Sequence, residues 1–280
     1  MHSIGRILKS ISILLGVAAV STGAFASDQP TKNIAVQMYT LRNVGTVNEQ
    51  FAMAHDAGFK SVELVGTQDL SSHEMNRLLK LYDLNVMAAH VQLTELQSNL
   101  DKVVAFNKAI HNRIIIMPWL DSSIRPTNKQ GWQALGKELD RIGAKLKKHN
   151  MTLAYHNHDF EMKKFDGKTA LEVMLNAAKN GNVKLEMDAA WVSRGGQDPV
   201  AMLHRLAGHV ITIHVKDNSG IGTHDDERNF TVAGQGLLSW NDILLSAKAV
   251  GVKWFVVEHD LPKDPRSVIT QANQFLQENL

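Results

Sequence analysis

His156, Asp188, His214 and Glu258 are the residues of this chain best suited to chemistry. Each closes an apolar, β-prone run: Met151–Tyr155, Val183–Met187, Val210–Ile213 and Trp254–Val257. Two imidazoles and two carboxylates make a mixed nitrogen and oxygen donor set. It suits Mn²⁺, Zn²⁺, Co²⁺ or Fe²⁺, and Mg²⁺ less well. A cation held there with open positions would bind adjacent substrate oxygens, polarise a carbonyl and acidify the neighbouring C–H. A single His or Asp at a strand end is more often a hydrogen-bonded structural residue. Four in succession are a metal-site pattern.

Other residues surround this set. His158 lies two positions beyond His156 and shares its face by period-two alternation. His158, Asp217, His259 and Asp260 are alternative ligands, or partners that orient a ligating imidazole through its other nitrogen. Lys216, two beyond His214, points to the same side and could stabilise a developing oxyanion or enolate; a surface Lys paired with Asp217 is the competing account. Trp119, after Pro118, is a candidate platform for a sugar ring, against core packing under a loop. Glu63 and His90, at the ends of the second and third strands, are candidates to hydrogen-bond substrate hydroxyls or to play a structural part. His55, His111, His149 and His209 fall on helices or their ends and read as surface or capping residues.

Eight strand-and-helix cycles must position these residues. The strands are Ile34–Met38, Ser61–Val65, Asn85–Ala89, Arg113–Met117, Met151–Tyr155, Val183–Met187, Val210–Val215 and Trp254–Glu258. Helical patterns between them include Asn48–Ala57, Ser71–Tyr82, Leu96–Ile110, Lys129–Lys148 and Leu171–Lys179. Ser71-Ser72-His73-Glu74 resembles a capping box, and Gly58, Asn150 and Gly251 follow helix ends. Alternation of this kind implies a parallel sheet, and eight units favour a closed (β/α)8 TIM barrel of the α/β class. No G-x-G-x-x-G follows the first strand, which argues against a dinucleotide fold. The connection Asp217–Gly236 is long, with four glycines around His224–Asn229. It is either a functional loop on the active face or an insertion hanging in solvent.

Residues 1–26 read as a signal peptide. Arg6 and Lys9 form a basic n-region, Ile11–Val20 is mostly apolar, and Ala24-Phe25-Ala26 is an A-x-A cleavage site. The apolar stretch is short for a membrane span. Residues 27–280 then form the barrel of an exported, periplasmic or secreted soluble protein. The 280-residue chain is 44% apolar and 21% charged, ordinary for a globular protein. Cleavage would take away two of the 30 basic residues and none of the 28 acidic ones, leaving a near-neutral protein with no basic stripe for nucleic acid. The absence of cysteine excludes thiolate ligands and nucleophiles. Export favours a free sugar or glycoside over a phosphorylated one, with no membrane partner after cleavage. Self-association into a homo-oligomer stays open.

The segments Val36–Arg42, His156-Asn157-His158-Asp159-Phe160-Glu161, Leu185-Glu186-Met187-Asp188 and Ile213-His214-Val215-Lys216-Asp217 together resemble the sugar isomerase/epimerase superfamily of xylose isomerase-like barrels. That group includes ketose 3-epimerases, inosose dehydratase and endonuclease IV. The resemblance runs to Val256-Val257-Glu258-His259-Asp260. It implies a metal quartet on strands five to eight, usually Glu, Asp, His, Glu. Asp188, His214 and Glu258 match the last three, and His156 stands where the first Glu usually does. Trp191 replaces a His that ketose epimerases carry three residues after the Asp. A metal-bound imidazole has no free lone pair for proton transfer, so Glu258 becomes the candidate base, with His158 or Lys216 as its partner.

Three functions follow from that resemblance. The first is a metal-dependent isomerase or epimerase of an unphosphorylated sugar, working through an enediolate. The second is a lyase that deprotonates C2 of a 3-keto-glycoside and expels its C1 substituent, as the exported branch with the His-Asn-His-Asp-Phe-Glu signature suggests. The third is a non-catalytic periplasmic sugar binder. DNA repair, by likeness to endonuclease IV, is remote without a basic face.

Overall fold

The computed structural model describes Met1, His2 and residues 32–280; the signal-peptide pattern lies outside the described residues. Eight parallel strands close into a barrel: β1 Ile34–Gln37, β2 Ser61–Val65, β3 Asn85–His90, β4 Ile114–Met117, β5 Thr152–His156, β6 Val183–Asp188, β7 Val210–Val215 and β8 Trp254–Val257. Closure comes from β1, which pairs with both β2 and β8. All eight apolar runs of the sequence are strands, with ends shifted by at most one residue.

Alternation sorts each strand into two faces. One face packs outward on the helices in a large core that includes Val36, Leu64, Ile115, Leu153, Leu185, Ile213 and Val257. The other meets in a small second cluster of Ala35, Met87, Ala88, Ile116, Ala154 and Val256. Continuing that inward parity by two residues gives Gln37, His90, His156 and Glu258. The barrel interior is therefore apolar at one end and polar at the C-terminal end of the strands. Three alanines on the inward face leave room for the larger polar side chains above them.

Helices start where the sequence offers caps. Thr46, Ser71 and Thr169 each form a capping box, with Glu49, Glu74 and Glu172, before helices α1 Val47–Asp56, α2 Ser72–Leu81 and α6 Ala170–Ala177. Gly58 and Gly251, at φ of +84° and +86°, supply the left-handed turn after a helix. The expected helix Leu96–Ile110 is instead two, α3 Leu93–Ser98 and α4 Leu100–Ala109. Asn99 breaks it at φ −132°, ψ 28°, and its side-chain amide donates to Glu95. Asn favours such local bonding over the helical ladder. Helix α5 Lys129–Lys147 packs on α6 through Gly136, where an added Cβ would lie 2.1 Å from the Met174 carbonyl oxygen. Gly136→Ala is expected to destabilise the fold by about 1–3 kcal/mol. Urea denaturation would show a lower midpoint at unchanged slope.

The Asp217–Gly236 connection is folded rather than a loose insertion. Asp217–Asn218 pairs antiparallel with Phe230–Thr231, and Phe230 is buried. The Asp217 carboxylate accepts from the backbone N–H groups of Asn218, Gly234, Gly236 and Leu238 at 2.8–3.1 Å. Both its oxygens are used in this way. Asp217 is thus the anchor of the loop and not a metal ligand. Among the described residues, no helix is long and apolar enough to cross a membrane.

Candidate active site

The quartet expected from sequence converges at the C-terminal end of the barrel. His214 Nδ1 lies 3.8 Å from Asp188 Oδ2 and 3.4 Å from Glu258 Oε2, and His156 Nε2 lies 4.0 Å from Asp188 Oδ2. All four side chains are buried. Buried His214 Nδ1 and His156 Nδ1 have no hydrogen bond, and Asp188 Oδ2 is met only by the Lys216 ammonium at 3.0 Å. Such orphans are costly unless something else is to be bound. Asp188, His214 and Glu258 bring donor atoms within 4.8 Å of one another, with His156 beside Asp188, and a mixed nitrogen and oxygen set of this kind would suit Mn²⁺, Zn²⁺ or Co²⁺.

Beneath the quartet lies a second layer. Glu186 Oε1 is 3.0 Å from His90 Nε2, 3.0 Å from His214 Nε2 and 3.2 Å from His156 Nδ1. Its other oxygen accepts from Thr212 Oγ1 at 2.6 Å. Glu63 Oε2 is 2.9 Å from His214 Nε2 and accepts from Gln37. The donor atoms of His90, His156, Glu186 and His214 all lie within 4.8 Å of one another, as do those of Asp188, His214 and Glu258. The cavity is reached by His156 and Glu258 of the quartet and by His90 of the lower layer, while Glu63 and Glu186 lie beneath it. Glu63 holds the inner nitrogen of His214 by a hydrogen bond, and His156 Nδ1 lies near Glu186 without one, leaving His156 Nε2 and His214 Nδ1 toward the quartet. Sequence reading assigned Glu186 no role. Its signal was available: Glu186 and Asp188 are two apart on one strand and share a face.

Glu63, expected to meet a substrate hydroxyl, is instead fully buried in this lower layer and does not line the cavity. His90 does line it, although Glu63 and Glu186 also grip its ring. Burial pushes His90 down, but those two carboxylates outweigh it and raise it to about 9. Against burial, Glu186 and Glu258 likewise hold the His214 imidazolium well above its ordinary range. A cation at Nδ1 would have to displace that proton, so metal affinity should fall as pH is lowered.

Lys216 is fully buried between Asp188, at 3.0 Å, Glu258 and Asp260. Burial opposes its charge, and the three carboxylates more than restore it. It is no surface residue paired with Asp217. Burial also works against the Glu258 anion, yet Lys216 and His214 keep it well below the usual carboxylate range. Asp260 bonds Lys216 and lies 3.3 Å from Arg228. His259 donates its backbone N–H to Thr40, and its Nδ1 accepts from Leu261 N–H; burial keeps it neutral. Those bonds make His259 a support of the β8 end.

A cavity of about 880 Å³ opens over this arrangement, with Trp119, His158, Trp191, Arg228 and Glu258 in its wall. Trp119 meets His158 edge-on at 4.6 Å between ring centroids. Burial, then the charges of His156 and Lys216, pull His158 well below its ordinary value, so it is neutral at physiological pH. The 217–236 loop contributes Arg228 to the wall, held by its bond to Asp260. Arg194 fixes the loop from below, binding Asn218 Oδ1 and the carbonyls of Arg228 and Asn229 at 2.7 Å.

Residues 51–279 match the family described as xylose isomerase-like TIM barrel. The chain belongs to that family. It is 23% identical over 249 residues to the rhizopine catabolism protein MocC of Rhizobium meliloti, covering 77% of this chain and 75% of that one. Inosose dehydratase of Lacticaseibacillus casei is 25% identical over 158 residues, half of each chain (51% and 50%). A sugar phosphate isomerase/epimerase from Parabacteroides distasonis superposes with TM-score 0.74 at 19% identity, over 91% of this chain and 97% of that one. The IOLI protein, solved with a binding zinc atom, gives 0.71 at 14% identity over 88% and 97%.

Within this xylose isomerase-like barrel, Glu161 completes the signature begun by His156. It is buried, accepting from Tyr155 Oη at 2.5 Å and from the His158 backbone N–H at 2.8 Å. Burial raises its carboxyl from 4.5 to about 7, although both hydrogen bonds pull the other way. The folded protein therefore binds this proton more tightly than the unfolded chain. The stability it contributes is full below about pH 4.5 and is lost as pH rises through 7. Glu161→Gln cannot ionise, so its stability relative to wild type should rise over that interval. Urea melts of both proteins at the two ends of the interval would show this.

Proposed function

We propose that the protein is a metal-dependent enzyme that abstracts a proton next to the carbonyl of an unphosphorylated sugar, acting as an isomerase or epimerase. One observation carries the reading: Glu258 borders the cavity, belongs to the metal donor set and is bonded to the buried Lys216. A divalent cation held by His156, Asp188, His214 and Glu258 would supply Lewis acidity toward the substrate carbonyl. Glu258 is ionised and takes the C–H proton, whose electron pair moves onto the carbonyl oxygen to give an enediolate. Lys216, a buried ammonium bonded to Glu258 behind the cavity wall, positions that carboxylate and keeps it ionised. Neutral His158, across the cavity wall, can relay a proton between the neighbouring oxygens or carbons. Return of the proton to the adjacent carbon completes an isomerisation. The signal-peptide pattern supports an unphosphorylated substrate met in the periplasm or outside the cell.

A second reading is favoured by His156. It stands at the end of β5 where the family's usual quartet has a carboxylate, so two-carboxylate epimerisation lacks one of its groups. With a single carboxylate base, the enediolate would collapse by expelling a β-substituent, as in a lyase acting on a 3-keto-glycoside. Similarity to inosose dehydratase, an elimination enzyme by name, supports this outcome.

The test uses the Mn²⁺-loaded protein in D₂O with ketoses and 3-keto-glycosides. Isomerisation or epimerisation should carry solvent deuterium to the carbon next to the carbonyl, whereas elimination leaves no hydrogen on that carbon and is read from release of the substituent. Exchange with isomer formation supports the first; release of the substituent with an enone chromophore supports the second. Neither exchange nor release with any member, at full metal occupancy, would reject both.

A further inference from the structure

The cavity has two halves of different chemistry. Over the ends of β5–β8 stand the polar groups just described. Over the ends of β2–β4 the same cavity continues along α4, where Val65, Val91, Val103, Phe106, Pro118 and Trp119 form an apolar arm. None of these six side chains can ligate a metal or move a proton. Val65 and Trp119 are 36% and 40% exposed, so apolar surface is left uncovered inside a pocket. Exposed Gln92, Glu95 and Lys102 complete the arm's solvent side. Trp119 joins the halves: its ring lies against His158, and the Arg125 guanidinium stacks on it at 4.4 Å.

The arm exists because of the Asn99 break. It starts α4 as a separate helix at Leu100, and Val103 and Phe106, three apart, share the face turned to the cavity. The whole cavity, about 880 Å³, lies near the upper end of the range of pockets that enclose drug-sized ligands. A single sugar ring over the metal donors would leave the apolar half to water. Water against such a surface is unfavourable, and a substrate with an apolar group there would gain that burial.

We propose that the arm is a binding subsite for an aromatic or comparably bulky apolar substituent carried by the sugar. It rests on the reading that the adjacent half holds a sugar. The occupant follows from continuity: the arm opens into the reactive half past Trp119, so a group covalently attached to the bound sugar reaches it. The substrate class is then an aryl glycoside or similar conjugate rather than a free monosaccharide.

The probe is 2-naphthol, titrated into the full protein with fluorescence of the cavity tryptophans or ligand-observed NMR as readout. Saturable binding is expected. Val65→Asp, at a half-exposed strand end, should weaken it by about tenfold or more, the effect of placing a charge where an aryl ring is buried. Matched methyl and phenyl glycosides of several hexoses form the second measurement. Phenyl members should bind about tenfold tighter to wild type, a margin that Val65→Asp removes. Absence of naphthol binding, indifference to Val65→Asp, or no phenyl margin in any pair would each overturn the proposal. Glu258→Gln should leave naphthol affinity unchanged. Failure of both deuterium exchange and substituent release alongside intact naphthol binding would therefore strike the catalytic reading and not the arm.

Discussion

Glu258→Gln is expected to lower turnover by about 10²–10⁴-fold, the range for losing a positioned general base. The substitution keeps the size of the side chain and removes only the ability to accept a proton and to ligate as an anion. Lys216 retains Asp188 and Asp260 as partners, so the buried ammonium is not left alone. Folding should survive, as a thermal melt would show. Release of deuterium from substrate labelled at the abstracted C–H is the decisive readout, because it sees proton abstraction whether the enediolate is reprotonated or eliminates. Wild-type release in the Gln variant would remove Glu258 from the chemistry. Metal content should be measured on the same sample, since the same carboxylate belongs to the donor set.

The second large effect is expected one layer lower. Glu186→Gln should reduce metal affinity by about 10–100-fold although Glu186 does not face the cavity. Its carboxylate lies within 3.2 Å of three imidazoles and is held well below the usual range by them, His214 foremost, despite burial. An amide is neutral and brings an NH₂ group whose donors must point at a neighbour. His156 loses its nearest inner carboxylate, His214 keeps only Glu63, and His90 loses one of two carboxylates. Breaking a buried charge pair from one side also costs about 3–5 kcal/mol of stability. Two readouts separate the effects: competition of Zn²⁺ with a chromophoric chelator, and urea denaturation in the presence of EDTA. Wild-type metal affinity in a folded variant would show that the imidazoles orient themselves. For a paired carboxylate of depressed pKa, the stability difference from wild type is present above the ordinary carboxylate value and fades as pH falls through the depressed one. The destabilisation should accordingly shrink in acid.

Much of the molecule is legible in its sequence. Strand runs, capping boxes and left-handed helix ends are short-range patterns, written in side-chain polarity and backbone sterics within a few residues. Eight of them in alternation leave few ways to bury every apolar face, and closure into a barrel is one. The upper quartet was legible for the same reason, since each ligand sits at the end of its own strand. Helix α4 escaped because Leu96–Ile110 keeps its helical periodicity through Asn99, and only the local bonding of that residue ends it. Asp217 misled because a carboxylate beside His214 and Lys216 carries the residue type of a ligand; its four backbone partners lie up to 21 positions away.

The identity of the strands, their order and the four residues at their ends were decided by the sequence itself, because each depends on local alternation and on strand-to-strand adjacency. Tertiary structure alone decided that Glu63 and Glu186 form a floor beneath the candidate metal donors, that Lys216 is buried among three carboxylates, and that α4 lines the cavity. Those arrangements join residues up to 151 positions apart, as His214 and Glu63 are. Distance and burial between such groups arise only when the barrel closes, and closure is also what sets their charge states.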